Sequence, residues 1–329
     1  MKRKTGIWVL FAVIVGFGIV TGTYYLKTIL SPPESPVRLV VATTTSLYDT
    51  GLLDILEDAF EAELSIELNF ISMGTGLAIN HAKRGDADMI LVHAPPKEFT
   101  FLEEGYGICR KIIAYNFFTI IGPSDDPAQI AKLAPIEALT KLVEIGRQGK
   151  TIWVSRGDDS GTHSKENELW AISGFNCEDL KEEAWYMESG SGMGKTLLIT
   201  NEFRGYTLSD MGTYLKYSVD DLIDLEMFVK SGKELLNVYS AIAVNPTANP
   251  KANFEGTLTF IKFLISEEGQ QLISEYSKNI YPETLFYPAV ELLKTQSDPI
   301  LISWIEDFAY FDGSECPPEY RDAHPELYE

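Results

Sequence analysis

From Val37 onward the chain alternates short, almost continuously apolar runs with longer amphipathic ones, and this alternation limits the possible folds more than any other feature. Val37 to Ala42, Ser65 to Ile71 and Met89 to Val92 read as strands, with helices at Gly51 to Glu63 and Leu77 to Arg84 between them. A strand that is apolar on both faces must be covered on both faces. The pattern therefore predicts an α/β architecture, a mainly parallel sheet flanked by helices. Ligands in such folds sit at the carboxyl ends of strands, so the strand-to-helix loops are where function is sought.

After Tyr115 to Ile121 a second series begins. It contains a helix at Ile136 to Gln148, a strand at Ile152 to Val154 and a helix from Thr162 to Ser173, then strand-like Trp185 to Met187, a helix at Thr196 to Phe203 and a strand at Tyr206 to Leu208. Tyr239 to Val244 is a further strand, followed by helical patterns at Phe254 to Leu264 and Gly269 to Tyr276. Two series of this size predict two lobes, each with its own sheet. If the strands near Asn116 to Ile121 and Tyr239 to Val244 are paired crossovers, residues 37–117 and 240–329 form one discontinuous lobe and residues 118–239 the other. The tail aromatics Trp304, Phe308, Tyr310 and Phe311 are expected to pack on the first lobe.

Ahead of this body lie Lys2, Arg3 and Lys4, then an apolar run from Gly6 to Tyr25 with no charge until Lys27. Twenty helical residues reach roughly 30 Å, a bilayer core, so residues 1–30 read as a signal anchor with the basic end in the cytoplasm. No A-x-A cleavage pattern follows, which favours an uncleaved anchor over a secreted or periplasmic chain. Residues 31–36, SPPESP, read as a stiff tether. Everything beyond it is expected outside the membrane.

The 48 acidic against 27 basic residues give a formal charge of -21. A field of that sign disfavours nucleic acid and anionic membrane surfaces as partners. An anionic ligand would have to be held by local N–H groups and one or two basic side chains. Cys109, Cys177 and Cys316 show no C-x-x-C spacing and read as small buried residues; His81, His93, His163 and His324 form no H-x-x-x-H pair. No cofactor and no metal cation are expected.

Three loops carry the hydroxyls and glycines that anion binding requires. Thr43-Thr44-Thr45-Ser46 follows the first strand, where a helix start adds about half a positive charge. An N-cap needs only one of these hydroxyls. Ser72-Met73-Gly74-Thr75-Gly76 also joins strand to helix, and its glycines let backbone approach a ligand. In Ser155-Arg156-Gly157-Asp158-Asp159-Ser160-Gly161-Thr162-His163, Arg156 supplies a permanent planar fork, and Asp158 or Asp159 could hold it in place. Two loops from one lobe and one from the other would enclose an anion in a cleft between lobes.

A different class of function has to be weighed. Ser189-Gly190-Ser191-Gly192-Met193-Gly194-Lys195-Thr196 ends like a phosphate-cradling P-loop, but Ser189 stands where the first glycine belongs. A P-loop NTPase also needs a Mg-holding acidic strand, and none stands out downstream. Ser160 with His163 suggests a serine hydrolase, yet no G-x-S-x-G elbow surrounds the serine. Arg84-Gly85-Asp86 reads as a helix stop. The chain is read as a non-enzyme.

Taken in order, TTTSLYD, ISMGTG with RGDADMILVHA after it, SRGDDSGTH, ESGSGMGKTL, YTLSDMGTY and AVNP resemble the TupA family from about Leu39 to Gln270. That resemblance implies the type II periplasmic-binding-protein fold and an extracytoplasmic receptor, monomeric, that hands tungstate to the permease of an ABC importer. It implies oxyanion contacts from Thr44, Thr45, Ser46, Thr75, Arg156, Ser160 and Thr162, with backbone N–H groups from Gly76 and Gly161. The R-x-x-x-S-G-T pattern is also similar to the ligand loop of phosphate-binding proteins, so receptors for molybdate, sulfate or phosphate are the alternatives. The chain departs from the family pattern in the apolar run, which lacks a lipid-accepting cysteine, and in the tail after Tyr287.

Overall fold

The computed structural model describes residues 37–328 apart from 159, 279 and 282. The expected anchor and tether fall outside the described residues, as does Asp159 of the arginine loop. Among the described residues no helix is long and apolar enough to cross a membrane.

The chain opens with β1 (Val37–Thr44), a one-turn helix α1 (Thr45–Tyr48), α2 (Leu52–Glu63), β2 (Ile66–Met73), α3 (Thr75–Arg84), β3 (Met89–Val92) and α4 (Pro95–Glu103). A long strand, β4 (Gly107–Pro123), leads into α5 (Pro135–Arg147), β5 (Trp153–Ser155), α6 (Gly161–Ile172), α7 (Cys177–Lys181), β6 (Tyr186–Glu188), α8 (Met193–Phe203), β7 (Thr207–Asp210) and α9 (Met211–Val219). Then come β8 (Leu225–Val229), β9 (Leu236–Val244), α10 (Phe254–Ile265), α11 (Glu267–Glu275), β10 (Tyr287–Pro288), α12 (Val290–Thr295) and α13 (Pro299–Ala309). The α/β alternation read from the sequence is present, with most ends of the expected elements moved by a few residues; β4 begins at Gly107, well before the strand expected from Tyr115, and α4, α7, α9, β8, α12 and α13 add to the expected elements.

One sheet runs β10-β4-β9-β3-β1-β2, with β7 and β8 paired to the far half of β4. Strand direction differs from expectation. β1 pairs parallel with β3, and β5 with β6, but β9 runs antiparallel to both β3 and β4, and β7, β8 and β10 are antiparallel to β4. The sheet is therefore mixed, not mainly parallel. An apolar run records that both faces are covered, and covered faces are compatible with either direction.

β4 also changes partners along its length. Gly107 to Phe117 pairs with β9, and Phe118 to Pro123 with β7 and β8. One apolar cluster extends over both halves, since it holds Ile113 and Ile121 of β4, and a second lies on the far half alone. Leu39, Val41, Leu53 and Phe60 pack with Phe260 and Phe263, the Phe60 and Phe260 rings meeting edge to face at 4.9 Å. Phe118, Ile120, Trp153, Trp170, Tyr206 and Leu208 form another cluster, with the two tryptophans edge to face at 5.0 Å. Each fully buried ring of this kind stabilises the fold by about 1.5–3 kcal/mol.

The tail is built into the first of these halves. β10 pairs with β4 at Tyr115 and Ala114, and Trp304, Phe308 and Tyr310 pack against Ile112, Leu236, Val238 and Ile305. Phe311 stacks on Phe99 at 5.0 Å. Beneath them the buried Arg110 side chain pairs with Glu98 at 2.9 Å, and Lys111 pairs with Glu315 at 2.8 Å. Charges buried in this way persist only when paired.

Candidate functional site

Several helices begin where strands end, and their starts meet. Thr44 caps α1, its hydroxyl accepting from Leu47 N at 3.3 Å; Ser160 caps α6, accepting from His163 N at 3.2 Å; Asp210 caps α9, accepting from Thr213 N at 2.9 Å. The caps of α3 and α8 are glycines, Gly74 and Gly192, and neither has a side chain to satisfy the first-turn N–H groups. Helix starts left uncapped by a side chain are favourable places for an anion.

Gly74 and Gly192 line the same cavity of about 580 Å³, together with Thr45, Gly76, Leu77, Asn80, Arg156 and Asp158. Loops distant in the sequence thus share one wall. The Arg156 guanidinium is buried, and its terminal NH2 pairs with the Asp158 carboxylate, whose other oxygen accepts from Ser160 N at 3.2 Å. Both carboxylate oxygens are already engaged, so Asp158 holds the guanidinium without presenting an unused acceptor oxygen.

Behind this cavity His93, just past β3, joins the loops. A Cβ built on Gly161 would lie 3.1 Å from His93 Cε1 and 3.3 Å from Thr75 Oγ1, so the starts of α6 and α3 and the end of β3 touch at one point. Ser46 Oγ is 3.3 Å from Thr44 Oγ1 and 3.2 Å from His93 Nε2. Burial, with a smaller contribution from the Arg156 charge, lowers His93 to about 4, so the ring is neutral at physiological pH.

Buried hydroxyls and guanidinium nitrogens ordinarily find partners. Here Thr75 Oγ1, Thr162 Oγ1 and Arg156 Nε are buried and have no hydrogen-bond partner among the described residues. Three orphaned donor-capable atoms near a helix-start cavity suit a ligand that accepts hydrogen bonds.

Of the residues expected from the sequence, Thr45, Gly76 and Arg156 line the cavity. Thr75 and Gly161 meet beside His93. Thr44 and Ser46 are turned toward each other and Ser46 also toward His93, while Ser160 Oγ caps α6 by accepting from His163 N. Thr43, the fourth hydroxyl of the first loop, donates to Leu91 O at 2.9 Å and ties β1 to β3 instead. SGSGMGKT reaches the cavity rim through Gly192, and Ser189 Oγ bonds Thr196 Oγ1 at 2.7 Å, whereas Lys195 is exposed on the first turn of α8. His93 and Asp210 were not selected from the sequence. His93 does carry a signal, since it follows an apolar strand at the carboxyl end where ligands gather.

A family model described as a PBP superfamily domain matches residues 30–268. The tungstate-binding protein TupA of Peptoclostridium acidaminophilum is 40% identical over 250 residues, covering 76% of this chain and 85% of that protein. Among solved structures, the tungstate-binding protein TupA from Desulfovibrio alaskensis G20 superposes with a TM-score of 0.67 at 38% identity, covering 77% of this chain and 98% of the other. The tungstate ABC transporter structure from Geobacter sulfurreducens gives 0.65 at 38% identity, covering 73% of this chain and 98% of that one.

Proposed function

The chain belongs to the TupA family of the PBP superfamily, and from that membership we propose that it is an extracytoplasmic receptor that captures tungstate for the permease of an ABC importer. The observation that carries the reading is that Arg156 Nε, buried in the wall of a cavity with glycine-capped helix starts, has no partner among the described residues, and neither do the buried hydroxyls of Thr75, between the lining residues Gly74 and Gly76, and of Thr162. Thr44, Thr45, Ser46, Thr75, Arg156, Ser160 and Thr162 contact the oxyanion through side chains, and Gly76 and Gly161 through N–H groups. A dianion in this setting receives charge-assisted hydrogen bonds that water would weaken. The net charge of -21 does not attract it; the local field does.

The switch in β4 partners between Phe117 and Phe118 supports a division into residues 37–117 with 240–329, and 118–239. On this reading β4 and β9 carry the hinge, the cleft closes on the anion, and closure is what the permease reads. The N-terminal segment keeps the receptor, a monomer, at the extracytoplasmic face of the cell membrane.

A lining of donors, with Asp158 already satisfied, disfavours an anion that must itself donate a proton. That argues against phosphate more strongly than against molybdate or sulfate, which differ from tungstate mainly in size and hydration. The test is calorimetric titration of the fragment from Val37 with all four anions. One-to-one binding of tungstate, tighter than molybdate, sulfate and phosphate, is expected. A tighter response to another anion moves the receptor to that substrate, and silence from all four overturns the reading.

A further inference from the structure

Cys109 sits at a bulge. The β4–β9 pairing slips between Ile108 and Lys111, and Cys109 itself has φ 53, a left-handed conformation that residues other than glycine rarely adopt. Bulges re-aim side chains, and this one aims the thiol into the C-terminal tail. Cys109 Sγ donates to Arg321 O at 3.3 Å, and Cys316 Sγ donates to the preceding carbonyl, Tyr320 O, at 3.7 Å. Two cysteines 207 positions apart in the numbering (316 − 109) converge on consecutive carbonyls of one turn.

Both are free thiols in this structure, and their neighbours hold the turn from both sides. Arg110 donates to Glu315 O at 2.7 Å, Arg321 Nε to Cys316 O at 2.7 Å, and Tyr328 OH to Arg110 O at 3.0 Å. Both cysteines are 0% exposed, whereas Cys177 stands apart on α7, its sulfur 3.4 Å from Tyr186 Oη.

We propose that Cys109 and Cys316 are joined by a disulfide in the mature protein, stapling the tail to β4. The proposal rests on the extracytoplasmic placement given above, because disulfides persist in oxidising compartments. A thiolate of one cysteine attacks a protein or small-molecule disulfide RS–SR and expels RS⁻; the second thiolate attacks the mixed disulfide, forms the Cys109–Cys316 bond and expels the other RS⁻. Two thiol protons leave and the external disulfide is reduced to two thiols. Burial, then the neighbouring Cys316, pushes the Cys109 thiol up to about 12, so little thiolate exists once the tail has docked. The bond forms during folding, before the pair is sealed.

The test refolds the reduced, full-length chain in detergent with reduced and oxidised glutathione, then counts thiols after denaturation and maps the peptides. One remaining thiol of three, on Cys177, with a peptide linking Cys109 to Cys316, is expected. Three thiols, a link through Cys177, or glutathione retained on Cys109 would overturn the pairing. Alkylation in intact cells before lysis gives the same count without refolding. A link formed on refolding but missing in cells would overturn the disulfide of the mature protein, whatever the refolded chain can form. Tungstate titration of the refolded sample keeps the two proposals separate, since binding with three free thiols overturns the disulfide alone.

Discussion

Ser46 Oγ lies 3.2 Å from His93 Nε2, and the opposite nitrogen of that ring lies 2.9 Å from Asn237 Oδ1. Asn237 donates through Nδ2 to Asn116 Oδ1 and Tyr239 OH, which leaves its Oδ1 as the acceptor. The proton therefore sits on His93 Nδ1, and Nε2 accepts from the Ser46 hydroxyl. The first anion loop is in this way tied to β9 and β4 through one neutral imidazole.

This relationship makes stability acid-sensitive. His93 is lowered from 6.5 to about 4 in the fold. The unfolded chain binds its proton first as pH falls, so stability is lost between about 6.5 and about 4 and is retained above that window. The loss approaches about 3 kcal/mol from this group. His93→Gln, whose amide can accept from Ser46 and donate to Asn237, is expected to flatten that part of a melting-temperature profile while keeping oxyanion affinity. His93→Leu is expected to lose affinity. An unchanged acid profile in the glutamine variant would show that His93 does not control it.

Among the described residues Arg156 is the only cation lining the cavity, and its Nε has no partner there. Charged hydrogen bonds contribute about 1.5–3 kcal/mol each, so Arg156→Ala should weaken tungstate by about a hundredfold or more. Lys195→Ala, which removes the exposed lysine of SGSGMGKT, should bind like the parent. Calorimetry on both variants checks the contrast. Equal losses in the two would remove the assignment of Arg156.

Thr75 and Thr162 bury hydroxyls that have no partner among the described residues. A desolvated, unsatisfied hydroxyl costs about 1–3 kcal/mol. Thr75→Val and Thr162→Val should therefore raise the thermal stability of the ligand-free protein while weakening tungstate, by about 1 kcal/mol or more each. Opposite signs in the two measurements distinguish a ligand contact from a packing residue. A variant that loses stability and keeps affinity would place that hydroxyl in the scaffold.

The loops were legible because glycine and hydroxyl residues at strand ends carry their chemistry locally. Long-range compensation was not. β4 was read only from Tyr115 because Arg110 and Lys111 break its apolar run; both are buried, paired with Glu98 and with Glu315 far along the chain. Periodicity cannot register a partner that distant. Strand direction escaped for a related reason, since the antiparallel entry of β9 depends on a connection through the whole second series. In the sequence His93 is an isolated histidine with no ligand spacing around it. Its role arises from Ser46, Asn237 and Gly161, which only the fold brings together.

Gly161 separates size from chemistry. It begins α6 with an ordinary backbone conformation, so alanine there is not strained by φ. The added Cβ would nevertheless stand 3.1 Å from His93 Cε1 and 3.3 Å from Thr75 Oγ1, tight enough that a neighbour must give by a few tenths of an ångström. His93 is held by Asn237 and packed at 4.9 Å on Tyr239, so Thr75 and the start of α6 must give way, which narrows the space for the anion. Gly161→Ala should fold, with a melting temperature near the parent's, and weaken tungstate and molybdate more than the smaller sulfate. Competition titration of the three anions reads the ratio directly. Uniform weakening would mean that the methyl disturbs the donors rather than the cavity size, and unchanged affinities would place Gly161 outside the anion's reach.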